Sequence, residues 1–509
     1  MYKSNPNAFV NYTVPEEYER IVAYKNVTAM WQNSVQAYAN DVAIVDNGRE
    51  FTFAALDADV AAFRAVLVEN GIKQGDNVGV YMPNCAEFVK AFLAITTLGA
   101  VAVLLPPHLD NITVFGCSMK FSLSAIVYAD VMEEKLGFLA EKNPRVARIN
   151  VACTSENPAP AVDVDGAAPC TVLFTGGTTG KSKGALLSHQ AIMTGTRNGC
   201  YGVKNIFGQR YLLVLPLTHV FGLIRNLLTS LQTGSALFIC RNNKDMFRDI
   251  AMFKPTILVL VPALAEMALN LSKQFGRNML GADMKTIICG AATVPPYLVK
   301  EYLKFGIALL PGYGLTESAN LVSGNPEALD NAISVGFIYP DMEYKIVDGE
   351  LWLKGKNMLD CYVGEPEENA TAFEDGWFKT GDLVRIDEKG FLYITGRKKE
   401  VIVLSSGENI SPAEIESKFY EIEAIQDCLV YEDTENDKSI LALEVYPRAV
   451  VVKALGIEDV EGYLKEKVNA INATLPSFQR ISKLVIRDTD FVRSPSMKIV
   501  RNQNGNVKK

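Results

Sequence analysis

From residue 50 to 300, short apolar runs alternate with segments whose apolar residues recur every three to four positions. DNVGVYM (76–82), AVAVLL (100–105), YLLVLP (211–216), SALFI (235–239) and PTILVLVP (255–262) have the length and composition of buried strands. CAEFVKAFLAITTLG (85–99) and NLLTSLQTG (226–234) have the period of helices between them. This alternation predicts βαβ units and parallel sheets, an α/β fold. Pro106-Pro107, Gly176-Gly177, Pro295-Pro296 and Pro311-Gly312 fall between the runs, where turns are needed.

After about residue 335 the pattern shifts to polar-flanked strands, EYKIVDGELWLKG (343–355) and GFLYITG (390–396), which predicts a small β subdomain. A helix is expected from Ser411, an N-cap followed by Pro412 at N1 and acidic residues in the first turn. From there strands (DCLVYED, SILALEVY) and a helix (VEGYLKEKVNAINA) predict a separate α+β module. The expected organisation is a large domain over 1–396, with layered parallel sheets, helices and the β subdomain, and a smaller mobile domain over 397–509.

Composition narrows the classes of function. Of 509 residues 49% are hydrophobic and 21% charged, a soluble globular balance. A net charge of −8, with no long basic run, argues against nucleic acid. The nine cysteines are dispersed without a C-x-x-C pair, and the expectation is buried thiols in a reducing, cytoplasmic compartment. His108, His189 and His219 are too scattered for a zinc site. The N-terminus has no apolar signal core, and the longest apolar stretch, AFLAITTLGAVAVLL (91–105), is shorter than the ~20 residues a membrane span needs. No integral membrane segment is therefore expected, and oligomeric state is not legible.

The most biased stretch is FTGGTTGKSKG (174–184). A Walker loop, G-x-x-x-x-G-K-[ST], would need a glycine at 175, where Thr175 stands. Gly176, Gly177 and Gly180 let backbone N–H groups converge, and Thr175, Thr178, Thr179 and Lys183 add side-chain donors. By itself the run suits either a phosphate cradle or an exposed hairpin connection.

The company of this loop decides between them. FTGGTTGKSKG, PGYGLTES (311–318), WFKTGDL (377–383), GRKKEVIVLSSGENISPAEIE (396–416) and a lysine near the C-terminus occur in one order along the chain. Together they resemble the acyl-adenylating superfamily of acyl-CoA synthetases, beetle luciferase and peptide-synthetase adenylation domains, over essentially the whole chain. The resemblance implies ATP-dependent activation of a carboxylic acid with Mg²⁺, then transfer to a thiol. It implies that the loop 174–184 holds the β- and γ-phosphates. By the same resemblance Tyr313 with Gly314 would lie against adenine, Thr316 would donate to the α-phosphate, and Glu317 would take the Mg²⁺. It likewise implies that Gly290-Ala291-Ala292 lets adenine approach the backbone, that Asp382 accepts from the ribose hydroxyls, and that Arg397 reaches ribose or phosphate. Lys399 matches the family's hinge, and Lys498 the lysine that steadies the carboxylate and α-phosphate. The chain departs from the family at Met497, where a glycine is usual, at Gly176, usually serine, and at Ser182, usually proline. A methionine at a position of positive φ costs about 1 kcal/mol or more.

His219, in LPLTHVFGL (215–223), matches the position at the mouth of the acyl pocket. Amino-acid-selecting relatives carry an aspartate near there, and PLTHVFGLIRNLL has no acid, so an uncharged acyl or aryl tail is expected. The chain looks most like bacterial medium- and long-chain fatty acyl-CoA synthetases, which implies a fatty acid. Compact spacing between GELWLKG and KTGD, without the insertion of fatty acyl-AMP ligases, implies completion of the second step. The acceptor is coenzyme A or the phosphopantetheine of an acyl or peptidyl carrier protein. A non-catalytic adenylate-binding relative is the alternative of another class.

Overall fold

A computed structural model describes residues 2–175, 182–403, 408–435, 438–493 and 499–501. Its largest sheet has nine strands, and six of them, Ala308–Leu315, Thr286–Cys289, Ile257–Leu260, Arg210–Leu213, Ala236–Ile239 and Val42–Asp46, lie parallel in that spatial order. Antiparallel strands close both edges, Asn320–Gly324 with Phe337–Ile338 on one side and Arg49–Thr52 on the other. A second sheet of seven strands has a parallel centre of Pro169–Phe174, Val101–Leu105, Asn77–Tyr81, Ala125–Tyr128 and Ala147–Asn150. Both sheets and the helices on them share one apolar core. The expected strands and the helix Ala86–Thr97 form where the pattern places them. Residues 226–234 differ: they continue a wide, five-residue-bonded helix, Phe221–Leu228, into Thr229–Gln232.

The β subdomain is a six-stranded sheet with its own core around Leu351, Leu353, Val384 and Leu392. One of its edge strands is Tyr2–Lys3, from the far end of the chain, a pairing too short to leave a periodic signal in the sequence. Beyond it, Ile425–Glu435, Lys438–Pro447 and Ile481–Ile486 form a three-stranded sheet. The helices Pro412–Phe419 and Val460–Asn472 accompany it, over a further separate core. Ser411 does not cap its helix; its hydroxyl donates to the Thr395 carbonyl instead. A Cβ on Gly396 would lie 2.0 Å from the Ser411 Oγ, so any side chain there would have to displace that hydroxyl.

The last module docks on the large domain through buried Arg448. Its Nε donates to Glu266 at 2.8 Å, its guanidinium lies 4.0 Å from the Tyr297 ring centre, and two backbone carbonyls of its own module take its other donors. Of the nine free cysteines seven are buried, Cys361 is half-buried and Cys153 is exposed. No described helix is long and apolar enough to cross a membrane.

His189 opens the helix His189–Asn198 and is wholly buried, with Nδ1 accepting from the Val27 N–H and Nε2 without a partner. Burial lowers its pKa from 6.5 to about 4. Above pH 6.5 both folded and unfolded states are neutral here and stability is full. As pH falls toward 4 only the unfolded chain takes the proton, and about 3 kcal/mol is lost. The melting temperature of wild type should therefore fall more steeply across this window than that of His189→Gln; equal slopes would show that the burial has no such effect.

Candidate active site

The parallel strands Thr286–Cys289 and Ala308–Leu315 end side by side, with Cys289 opposite Pro311. Beyond the first comes Gly290, where an added Cβ would lie 2.8 Å from the Gly312 carbonyl oxygen and 3.5 Å from the Phe221 ring. Ala291 follows with φ 67°, a left-handed backbone, and Ala292 is exposed. Small residues are thus needed where the two strand ends converge. The second strand pairs tightly with Asn320–Gly324: a Cβ on Gly314 would meet the Asn320 carbonyl oxygen at 2.3 Å. It then turns through Thr316–Ser318, held by the Ser318 hydroxyl, which accepts from Leu315 N–H at 3.0 Å and donates to the Asn320 carbonyl at 2.8 Å. Thr316 is buried, and Glu317 is half-buried.

Asp382, 1% exposed, lies on Trp377–Ile386 directly opposite Arg397 on the antiparallel strand Leu392–Arg397. Its Oδ1 accepts from Arg397 Nε at 2.8 Å and its Oδ2 from the Tyr313 hydroxyl at 2.6 Å. Burial first, then the Asp382 charge, push the Tyr313 phenol far above its ordinary value, so it stays a donor. The same carboxylate raises Arg397. Three residues picked from three separate motifs thus meet at one carboxylate. An ionised carboxylate has about four acceptor positions, so two remain for further donors.

A second cluster surrounds Glu317. Tyr362 donates to its Oε1 at 2.7 Å, and the Lys183 ammonium lies 5.0 Å from the Tyr362 ring centre while pairing with Glu368. Lys183 is anchored at its backbone, where Thr175 N–H donates to its carbonyl at 2.8 Å, and Ser182 Oγ donates to the Thr175 carbonyl at 2.7 Å. Sequence reasoning missed Tyr362 and Glu368, since neither sits in a glycine- or hydroxyl-rich motif. His219 is half-buried, and its Nδ1 accepts from Phe221 N–H at 3.3 Å, which leaves the ring proton on Nε2.

Gly176, Gly177, Thr178, Thr179 and Gly180 of the loop, and Met497 and Lys498, lie outside the described residues. Just after Lys498, Arg501 is fixed by Glu416, at 2.8 and 2.5 Å, and by Glu400 at 3.1 Å. Lys399 is exposed in the short turn Lys398–Glu400.

Among the described residues no three His, Cys, Asp or Glu side chains come together to hold a metal. A lone carboxylate with one oxygen committed to a phenol and the other without a partner among the described residues suits Mg²⁺, which keeps waters and is shared with substrate phosphates, rather than an all-protein cage.

The description "AMP-binding enzyme" matches residues 31–363, and "AMP-binding enzyme C-terminal domain" matches 399–506. The medium-chain fatty-acid–CoA ligase of Escherichia coli K12 is 28% identical over 449 residues, covering 79% of this chain and 77% of its own. The 4-coumarate–CoA ligase-like 6 of Arabidopsis thaliana is 28% identical over 481 residues, covering 85% and 81%. The o-succinylbenzoate CoA synthetase of Bacillus subtilis, solved with its acyl-adenylate intermediate, shares the fold at a TM-score of 0.79 and 24% identity over 94% of this chain and 98% of its own.

The Tyr313–Asp382 bond is open to a double-mutant cycle. Tyr313→Phe should destabilise the wild type by about 1.5–3 kcal/mol, the range for a hydrogen bond to a charged group, and much less in an Asp382→Ala background. Additive losses in urea unfolding would mean the two side chains do not interact.

Proposed function

The chain belongs to the AMP-binding enzyme family, and we propose for it the two-step reaction of an AMP-forming acid:thiol ligase with a fatty acid as its acid. The enzyme activates a carboxylic acid with ATP, releasing pyrophosphate, and passes the acyl group to coenzyme A. The observation that carries the assignment of residues is the meeting of Tyr313 and Arg397 on buried Asp382, beside the glycine-lined ends of two parallel strands. Ligands of such sheets bind at the carboxyl ends of strands.

In this reading the adenine ring lies between Tyr313, with Gly314, and the Gly290-Ala291-Ala292 segment. Asp382 uses its two remaining acceptor positions for the ribose hydroxyls. Thr175, Gly176, Gly177, Thr178, Thr179, Gly180 and Lys183 hold the outer phosphates. The Lys183 ammonium has three donors, and Glu368 occupies one, leaving it oriented but still able to bind phosphate. Glu317, aligned by Tyr362, would hold Mg²⁺, which neutralises charge on the phosphate oxygens. Thr316 donates to the α-phosphate, His219 borders the acid's carboxylate, and Lys498 brings a positive charge to both reacting anions. A carboxylate oxygen attacks the α-phosphorus and pyrophosphate leaves; the thiol sulfur then attacks the acyl carbon and AMP leaves.

The two units, 1–396 and 397–509, meet at Lys399, and rotation there would exchange Lys498 for the thiol-binding face of the smaller unit. The buried Arg448–Glu266 pair is the contact that such a rotation must break. The fatty acid assignment is supported by the likeness to a ligase named for medium-chain fatty acids.

Acid-dependent exchange of labelled pyrophosphate into ATP, over a panel of carboxylic acids, tests the first step. Wild type should exchange with an aliphatic acid, and Lys498→Ala should lower the rate by about 10²–10³, the scale for losing one charge-stabilising donor. Exchange with no acid would refute acid activation. Acyl adenylate formed without coenzyme A turnover would reassign the acceptor to the phosphopantetheine of a carrier protein.

A further inference from the structure

The cluster around Glu317 is built on CYVGEPEENATAF (361–373), a short strand, a turn and a seven-residue helix. The turn is made at Gly364, whose φ of 70° is left-handed. The helix Pro366–Ala372 starts on its proline, with Glu367 and Glu368 in the first turn. The chain just before the turn is bonded to both halves of the cluster. Leu359 N–H donates to the Glu317 carbonyl at 2.8 Å, Tyr362 lies opposite Ala185 in an antiparallel pair, and Val363 N–H donates to the Gly184 carbonyl at 2.9 Å. Residues 359–363 therefore connect the backbone of Glu317 to the strand Gly184–Ser188, which begins one residue after Lys183.

A helix of about two turns has little stability of its own, and this one is fastened by a side chain. Asn369 Oδ1 accepts from the Tyr362 N–H at 2.8 Å, and Asn369 Nδ2 donates to the Tyr362 carbonyl, also at 2.8 Å. Both functions of the amide are committed to one residue, which holds the helix in orientation as well as in place. Its neighbour Glu368 pairs with the Lys183 ammonium, which lies 5.0 Å from the centre of the Tyr362 ring. The Tyr362 hydroxyl donates to Glu317 at 2.7 Å. Tyr362 thus meets three partners through three different groups: Asn369 through its backbone, Lys183 through its ring, Glu317 through its hydroxyl.

We propose that Asn369 is a positioning residue for the nucleotide: it locks the Glu368 helix onto Tyr362, and Glu368 in turn holds the Lys183 ammonium in register with the Glu317 carboxylate. This rests on the reading of Lys183 and Glu317 as groups for the outer phosphates and their Mg²⁺. A lysine ammonium is a point charge on a flexible four-carbon stem, and left to itself it samples many rotamers. The clamp removes that freedom before ATP arrives, so less ordering opposes binding. Asn369 touches no ligand in this account; it acts through Glu368 and Lys183.

The experiment measures the dissociation constant of MgATP by calorimetry on the whole chain, with acid and thiol omitted, and the KM values for ATP and for the acid in pyrophosphate exchange. N369L keeps the bulk of the side chain and removes both bonds. It should weaken MgATP by about tenfold, a coupling of the size found within one hydrogen-bonded network. KM for ATP should rise by the same factor and KM for the acid should stay as it is. E368A cuts the route by which the effect travels, so N369L added to E368A should weaken MgATP no further than E368A alone. Wild-type affinity in N369L, an equal rise in both KM values, or the full tenfold loss on top of E368A overturns the proposal. MgATP bound by no variant, wild type included, overturns the nucleotide reading of the site instead. Should N369L fail to fold, N369S, which can keep one of the two bonds, carries the same comparison with a smaller loss expected.

Discussion

The arrangement of the site depends on the need of one buried carboxylate for donors. Asp382 is almost completely withdrawn from water, and an unpaired charge there would be several kcal/mol unfavourable. It is satisfied by a phenol from the nine-stranded sheet and a guanidinium from the neighbouring strand Leu392–Arg397. That single requirement joins the nine-stranded sheet to the β subdomain. Arg397 is fixed two residues before Lys399, so a rotation about Lys399 would begin from a held point rather than a loose linker.

The other charges of the region follow the same rule. Lys183 is paired with Glu368, Glu317 receives Tyr362, and Arg501 is gripped by Glu416 and Glu400. These groups are oriented by the protein's own side chains, and each retains donor or acceptor positions for a ligand. Such preorganisation removes part of the ordering that binding would otherwise require. Arg225 is the exception, a buried cation whose Nη1 has no hydrogen-bond partner among the described residues.

The framework was legible in the sequence because it rests on period. AVAVLL, SALFI and PTILVLVP are buried parallel strands, and such runs carry a strong apolar signal. The convergence of Tyr313, Asp382 and Arg397 was legible only through ordered motifs, since nothing local in YGLTE or KTGD reports a partner 69 residues away. Tyr362 and Glu368 left no trace, because a lone tyrosine and a glutamate in PEENATAF read as ordinary surface residues. The Ser411 cap failed because Gly396 brings a competing carbonyl within reach of its hydroxyl, a tertiary contact that local helix rules do not contain. Residues 226–234 were read as a helix, but the π-helix Phe221–Leu228 that leads into them was not, because its first residues were read as part of the LPLTHVFGL motif.

The central claim is that the carboxylate oxygen bonds to the α-phosphorus of ATP. The direct measurement uses an acid labelled with ¹⁸O in its carboxylate, with complete turnover in the presence of coenzyme A and mass analysis of the nucleotide product. Attack at the α-phosphorus followed by thiol attack on the acyl carbon leaves one labelled oxygen in AMP, and that is the result expected. Label in inorganic phosphate with ADP as the nucleotide product would mean attack at the γ-phosphorus and an acyl phosphate, and would contradict the account.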